Sequence, residues 1–317
     1  MNAATNKATH PVSVVVVTGP TASGKTELAI QLAERFGGEI INADSMQVYR
    51  YMDIGTAKPS LEERARVPHH LFDVVTPDAD YSAGRYAETA RQVVREIDAR
   101  GRIPIVTGGT GLYIRALLHG LINTGGAEPG LRQSLEAEAE QALSDGNPGL
   151  LHERLRKQDP AAAESIHPHD IRRTIRALEI IVQSGQMASA VREDHAFGEE
   201  AFPALHLVLD PGREVVSERI ANRCQAMIDA GLLREVRSLR ERGYGSELRS
   251  MQAIGYRHIN PVADGSDTLA NAVVAMAADT RRFARRQRTW LRKVNDAVWL
   301  DPTQEEEAFS RVEAFRA

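Results

Sequence analysis

The chain has 317 residues, room for two domains of about 150 or for one domain with a large insertion. Hydrophobic residues make up 42% and charged residues 26%, the mix of a soluble chain with a sizeable core. The formal charge of −4 disfavours an indiscriminate nucleic-acid binder, yet the 39 cations are 34 Arg and only 5 Lys. Arg grips phosphate bidentately and stacks on bases, but an Arg-rich codon usage explains the same excess, so composition leaves the partner open.

In chain order, residues 12–18 are a β-branched run that reads as a buried parallel strand. A Gly-containing turn leads into a helix over 25–36, whose Leu28, Leu32 and Phe36 recur at helical spacing. Strands are expected at 39–43, 71–75 and 103–107, with a long helix over 82–100. Strands alternating with helices predict a parallel α/β sheet with ligands at the strands' carboxyl ends. Residues 123–202 show only helical patterns, at 131–143, 150–157 and 170–184, the last with Asp170 as N-cap. A strand at 203–210 returns to the sheet, followed by helices at 213–230, 232–242 and 269–293 and a short strand at 297–300. The expected architecture is an α/β fold: a P-loop NTPase-like parallel sheet flanked by helices, residues 1–122 and 203–317, with an all-helical insertion domain, residues 123–202.

Gly19-Pro20-Thr21-Ala22-Ser23-Gly24-Lys25-Thr26 fits G-x-x-x-x-G-K-[ST] and lies between a strand and a helix, the context this motif requires. Its backbone N–H groups and the helix N-terminus suit a phosphate chain. Lys25 would neutralise a terminal phosphate, and the Thr26 hydroxyl would ligate Mg²⁺. Kinases, ATPases and GTPases share the loop, so it does not say which molecule carries the phosphates. The strand at 103–107 ends in Gly108-Gly109-Thr110, without the acid a Walker-B site needs, and no Asn-Lys-x-Asp tetrapeptide is present. An acid stands instead at the end of the second strand, Asp44, followed by Ser45-Met46-Gln47. There it can act as a general base or hold Mg²⁺ through water, or simply close an Asx turn.

These motifs, with Met52-Asp53-Ile54-Gly55-Thr56-Ala57-Lys58-Pro59, Pro68-His69-His70, Gly111-Leu112-Tyr113, Ile254-Gly255-Tyr256-Arg257 and Arg285-Arg286-Gln287-Arg288-Thr289-Trp290-Leu291-Arg292, resemble the bacterial tRNA dimethylallyltransferases, also called tRNA isopentenyltransferases. The resemblance runs in order along nearly the whole chain. It implies transfer of a dimethylallyl group from dimethylallyl diphosphate to the exocyclic amine of adenosine 37, next to the tRNA anticodon. The phosphate loop, Lys25 and Mg²⁺ would then stabilise a leaving diphosphate rather than hydrolyse a nucleotide. Asp44 would take the proton from the weakly nucleophilic adenine amine. By the same resemblance Thr110 lies beside the reacting adenosine, Arg223 clamps the diphosphate, and Ser45, Met46 and Gln47 contact the adenosine. One departure is Tyr51, where the family commonly has Gly.

Residues 280–293 carry seven cations, Arg281, Arg282, Arg285, Arg286, Arg288, Arg292 and Lys293, and no acid. At 100° per residue Arg281, Arg285, Arg288 and Arg292 share one face, with Phe283, Trp290 and Val294 opposite. Solvated helices normally mix both signs, so this strip favours a polyanion. Arg172, Arg173 and Arg176 form a smaller cluster. The resemblance assigns both places, together with Arg132, Gln252, Gly255, Tyr256 and Arg257, to tRNA contact. His69 and His70, adjacent in a strand, point apart and read as structural.

One cysteine, Cys224, excludes an internal disulfide and a Cys-rich zinc site. Residues 1–11 lack a signal-peptide pattern, and no apolar run approaches the roughly 20 residues of a membrane span. A cytoplasmic, monomeric, membrane-free enzyme is expected. Three other readings stay open: a P-loop kinase of small metabolites, an adenylate isopentenyltransferase acting on free nucleotide, and a non-enzymatic RNA-binding module.

Overall fold

The computed structural model describes residues 11–121, 129–195 and 201–317. Four consecutive valines make β1 (Val14–Thr18) a fully buried strand. It feeds α1 (Lys25–Phe36), β2 (Gly38–Asn42), α2 (Leu61–Arg66), β3 (His69–His70), α3 (Ala83–Ala99), β4 (Ile103–Thr107) and α4 (Gly111–His119). Then come α5 (Pro129–Ser144), α6 (Leu150–Gln158), α7 (Pro160–Ser165), α8 (Ile171–Ser184) and α9 (Ala188–His195). The chain finishes with β5 (Ala204–Leu209), α10 (Arg213–Asp229), α11 (Leu232–Glu241), a 3₁₀ turn (Ser250–Gln252), α12 (Tyr256–Ala263), α13 (Leu269–Leu291), β6 (Val298–Leu300) and α14 (Glu305–Arg316).

All six strands form one parallel sheet in the order β3-β2-β4-β1-β5-β6. The period of two along each strand splits the core between the sheet's faces. Val14, Val16, Ile41 and Val106 pack with residues of α3, α4, α10, α11, α12 and α13. Val15, Val17, Ile40, Ile105 and Leu207 pack instead with α1 and α14. Because β4 lies between β1 and β2, with Val17 beside Thr107 and Thr107 beside Asn42, three neighbouring strand ends open on one crevice. That crevice is where an open α/β sheet binds ligands.

The third strand is not at 71–75. It is the two-residue β3, aligned with Ile40 and Ile41 of β2. Leu71 (φ 63°) and Asp73 (φ 56°) are left-handed and cannot continue a ladder, and only Val75 bridges back, to Tyr49. The two histidines do point apart: His70 Nε2 meets the buried Glu39 carboxylate at 2.7 Å, and His69 Nδ1 meets the Val67 carbonyl at 2.7 Å.

The chain divides into two compact units, Met1–Leu118 with Glu200–Ala317, and His119–Glu199. The second is helical among its described residues and has its own core of Leu135, Leu151, Leu155, Ile175 and Leu178. Asp170 caps α8 by accepting the Arg173 N–H at 3.2 Å, and left-handed Gly185 ends that helix. No helix among the described residues is long and apolar enough to cross a membrane.

Candidate active site

The residues that leave β1, β2 and β4 enclose, with α10 and α13, a cavity of about 360 Å³. From β1 comes the phosphate loop. Gly24 (φ 98°) turns the chain into α1, a conformation that disfavours any side chain, and so places the helix N-terminus at the crevice. Thr21, Lys25 and Thr26 line the cavity, joined by Arg223 from α10. Desolvation lowers the Lys25 ammonium to about 8, Arg223 pushes it the same way, and Asp44 opposes both. Burial likewise lowers Arg223, against the pull of Asp44. Two cations crowded together, with Asp44 as the opposing charge that acts on both, make a site suited to a further anion.

From β2 comes Asp44. Its N–H donates to Asn42 Oδ1 at 2.9 Å, and Asn42 Nδ2 donates to the Asp44 carbonyl at 3.1 Å. Asp44 Oδ1 accepts the Met46 N–H at 2.8 Å, an Asx turn that fixes the carboxylate's direction while Asp44 lines the cavity. The turn and a proton-accepting role are therefore compatible. From β4 comes Thr110, whose N–H donates to the Ala43 carbonyl at 3.1 Å. Its hydroxyl accepts the Ser45 N–H at 3.0 Å and donates to Ser45 Oγ at 3.2 Å. Gly108 makes this approach of β2 and β4 possible, since a Cβ there would collide with the Ala43 backbone.

Gln47 donates to the carbonyls of Thr56 and Ala57 at 3.1 and 3.0 Å, tying the Ser45–Gln47 segment to the 53–58 loop. That loop is held by Glu235, which the sequence did not single out, and by Lys58 of the loop's own motif. Glu235 accepts from the N–H groups of Asp53, Ile54 and Gly55 at 3.0, 2.7 and 3.1 Å and from the Tyr256 hydroxyl at 2.7 Å. Lys58 Nζ pairs with Asp53 and Asp73 at 2.6 and 2.7 Å. Apolar wall comes from Ile220, Cys224, Met227, Met276 and Phe283, room for a short alkyl group beside the cations. Met46, Gln47, Gln252 and Arg257 line the same cavity.

The basic helix needs correction. The buried stripe of α13 runs through Met276, Ala277, Ala284, Gln287, Arg288 and Leu291 at helical spacing. Arg288 therefore belongs to the interior, 7% exposed, and pairs with Asp210 at 2.5 and 2.7 Å. Arg281 faces α10 and donates to Ser217 Oγ at 2.8 Å. The exposed cations are Arg282, Arg285, Arg286, Arg292 and Lys293. Arg282 and Arg257 share the Asp279 carboxylate with His258. Burial raises that carboxyl, but the two guanidiniums and the imidazole outweigh it and hold it at about 2.

Tyr256 is also no surface contact. It is fully buried, its ring lies where a side chain on Gly55 would collide, and its hydroxyl is spent on Glu235. Gly255 (φ 98°) stands at the start of α12. In the helical unit, Arg132 and Arg176 hold the buried Glu179 at 2.7 and 3.1 Å, whereas Arg172 and Arg173 are exposed. Tyr51 has φ 67°, which explains why glycine suits that position, and its ring carries the Arg242 guanidinium at 4.5 Å and stacks near Tyr244 at 6.3 Å.

No group of three or more His, Cys, Asp or Glu able to hold a metal occurs among the described residues. Asp210, the other acid beside the loop, is already taken by Arg288. Among the oxygen-bearing side chains that line the cavity, the Thr26 hydroxyl and the Asp44 carboxylate form a hard but sparse pair. It fits Mg²⁺, which takes few protein ligands and completes its shell with phosphate oxygens and water.

Fold and cleft together define a P-loop-like α/β enzyme whose cleft has the loop, helix end and cations suited to a phosphate chain. Residues 47–294 match the family model described as IPP transferase, and the chain belongs to that family of prenyltransferases. It is 49% identical over 288 residues to the tRNA dimethylallyltransferase of Desulfosudis oleivorans, covering 91% of this chain and 90% of the relative. It is 49% identical over 298 residues to that of Anaeromyxobacter dehalogenans, covering 94% and 98%. Among solved structures, the full-length tRNA isopentenylpyrophosphate transferase of Bacillus halodurans superposes with a TM-score of 0.70 at 37% identity, covering 96% of each chain. A eukaryotic dimethylallyltransferase solved acting on tRNA superposes with a TM-score of 0.77 at 32% identity, covering 91% of this chain and 73% of its own.

Proposed function

We propose that this protein is a tRNA dimethylallyltransferase that moves the five-carbon group of dimethylallyl diphosphate onto N6 of adenosine 37. The observation that carries the reading is one cavity lined by the phosphate-loop residues Lys25 and Thr26, by Arg223, and by Asp44 and Thr110. Lys25, Arg223 and the loop N–H groups bind the diphosphate and stabilise the charge it gains as the C–O bond breaks. Thr26 would hold Mg²⁺, which would supply further positive charge for the leaving diphosphate. The adenine amine forms the new C–N bond and loses a proton, which Asp44 accepts. Thr110 orders the Ser45–Gln47 segment on the adenosine side. Catalysis is therefore charge stabilisation at the leaving group combined with proton removal at the nucleophile.

An anticodon-loop base must leave its stack to enter such a cleft, at a cost of a few kcal/mol. Arg257, Arg282, Arg285, Arg286 and Arg292 offset that cost by contacting phosphates, and Arg172 and Arg173 of the helical unit add a separate contact. Arg288 and Tyr256 support these surfaces from within, and the half-buried Arg132 and Arg176 are held on Glu179. Radiolabelled dimethylallyl diphosphate offered with tRNA or with AMP tests the assignment. Label is expected in tRNA and not in AMP; label in AMP alone would make the protein an adenylate isopentenyltransferase.

A further inference from the structure

The two halves of the cavity are joined by one side chain that lies within the Arg285–Arg292 motif but to which the sequence assigned no role. Gln287 of α13 is 3% exposed. Its Oε1 accepts the N–H of Thr21, inside the phosphate loop, at 2.8 Å. Its Nε2 donates to the carbonyl of Gly109, the residue before Thr110, at 3.0 Å. Any Cβ on Gly109 would collide with that same Nε2, so the glycine and the amide are fitted to each other. Gln287 also lines the cavity.

Only a carboxamide presents a donor and an acceptor on one rigid plane at this reach; a carboxylate lacks the donor and an aliphatic chain lacks both. We propose that Gln287 is a positioning residue, setting the spacing between the loop that holds the departing diphosphate and the Gly109–Thr110 turn on the adenosine side. The proposal rests on the transfer reaction given above and adds how its two substrates are aligned. Displacement at carbon needs nucleophile and leaving group held in line at near-contact distance, and a misplacement of about 1 Å costs on the order of 10²-fold. A Gln that merely satisfied two buried backbone groups would instead affect stability, and both substrates' binding, without singling out the transfer step.

Gln287→Met keeps the volume and removes both hydrogen bonds. Gly109→Ala leaves Gln287 in the chain and pushes its amide aside. Wild-type protein must first transfer label to tRNA; failure there counts against the transferase reading and not against Gln287. With that control in hand, each variant's thermal unfolding, its affinity for inorganic diphosphate and for tRNA, and its single-turnover transfer rate are measured.

The expected result is a transfer rate at least about 30-fold lower with both affinities within about threefold of wild type. The double variant should be no slower than the slower single one, because both substitutions break the same bridge. Transfer within about threefold of wild type, or a loss matched by weaker diphosphate binding, overturns the proposal. If Gln287→Met does not fold, Gly109→Ala alone decides on the same criteria.

Discussion

The phosphate loop carries a single lysine beside backbone N–H groups and a helix end, whereas residues 280–293 carry seven cations that meet four different fates. Arg288 is buried on Asp210, Arg281 is turned to α10, and Arg282 is shared with Arg257 on Asp279. Arg285, Arg286 and Arg292 remain on the exposed surface. A loop whose function lies in its backbone is recognisable from spacing alone. A run of like charges is not, because the side each residue faces depends on what packs against the helix.

The comparison breaks most readily at the chemistry. Asp44→Asn keeps the Oδ1 that closes the Asx turn but cannot accept a proton. Turnover should fall by about 10²–10⁴-fold with diphosphate affinity retained; near-normal turnover in the purified variant would remove Asp44 from its role.

The next largest effect concerns Lys25. Its ammonium sits at about 8 in the ligand-free cleft, lowered by desolvation and by Arg223, so it sheds its proton as pH rises through that value. A bound anion favours the protonated form, so binding takes up a proton above that pH and affinity declines, by at most about tenfold per pH unit. Lys25→Arg, which stays charged, should lack this part of the pH dependence. Isothermal titration of inorganic diphosphate between pH 7 and about 9.5 reads the difference, and identical profiles would show that Lys25 does not titrate there.

The two kinds of arginine on α13 separate more gently. Replacing Arg285 or Arg286 by Gln should lower the slope of log affinity for tRNA against log salt by about 0.7–0.9 each, with stability unchanged. Arg288→Gln leaves Asp210 unpaired and should cost about 3 kcal/mol of stability while leaving that slope intact. Equal salt slopes for all three would erase the distinction between exposed and interior cations.

The smallest effect is at Tyr51. Tyr51→Gly relieves a left-handed backbone costing about 1 kcal/mol but gives up contacts with Arg242 and Tyr244 of similar worth. A denaturation midpoint shift corresponding to more than about 2 kcal/mol either way would show that one of the two dominates.

Much of the sheet was legible because β-branched runs alternate with helical spacing, and the 14–18 and 103–107 segments are strands for that reason. The third strand was misplaced by its apolar residues: Leu71 and Val75 look like a strand, but the left-handed Leu71 and Asp73 are invisible to hydrophobic pattern. Lys25, Thr26, Asp44, Thr110 and Arg223 do meet at one cavity. Glu235, and the contacts of Gln287 within its motif, were not legible because each acts through backbone groups far away in sequence, a pairing that leaves no local signature. Tyr256, expected at the tRNA from the resemblance, and Arg288, expected there from the charge run, are both buried here, because packing against the helix decides a side that neither motif nor charge reveals.

The central claim is that the loop and Asp44 serve alkyl transfer to a tRNA base and not phosphoryl transfer. Digestion of tRNA after one turnover with dimethylallyl diphosphate, followed by mass spectrometry of the nucleosides, tests it most directly. The account predicts one five-carbon group on the exocyclic nitrogen of adenosine 37 and one diphosphate released per modification. Unmodified tRNA together with phosphoryl transfer from ATP to a small acceptor would contradict it.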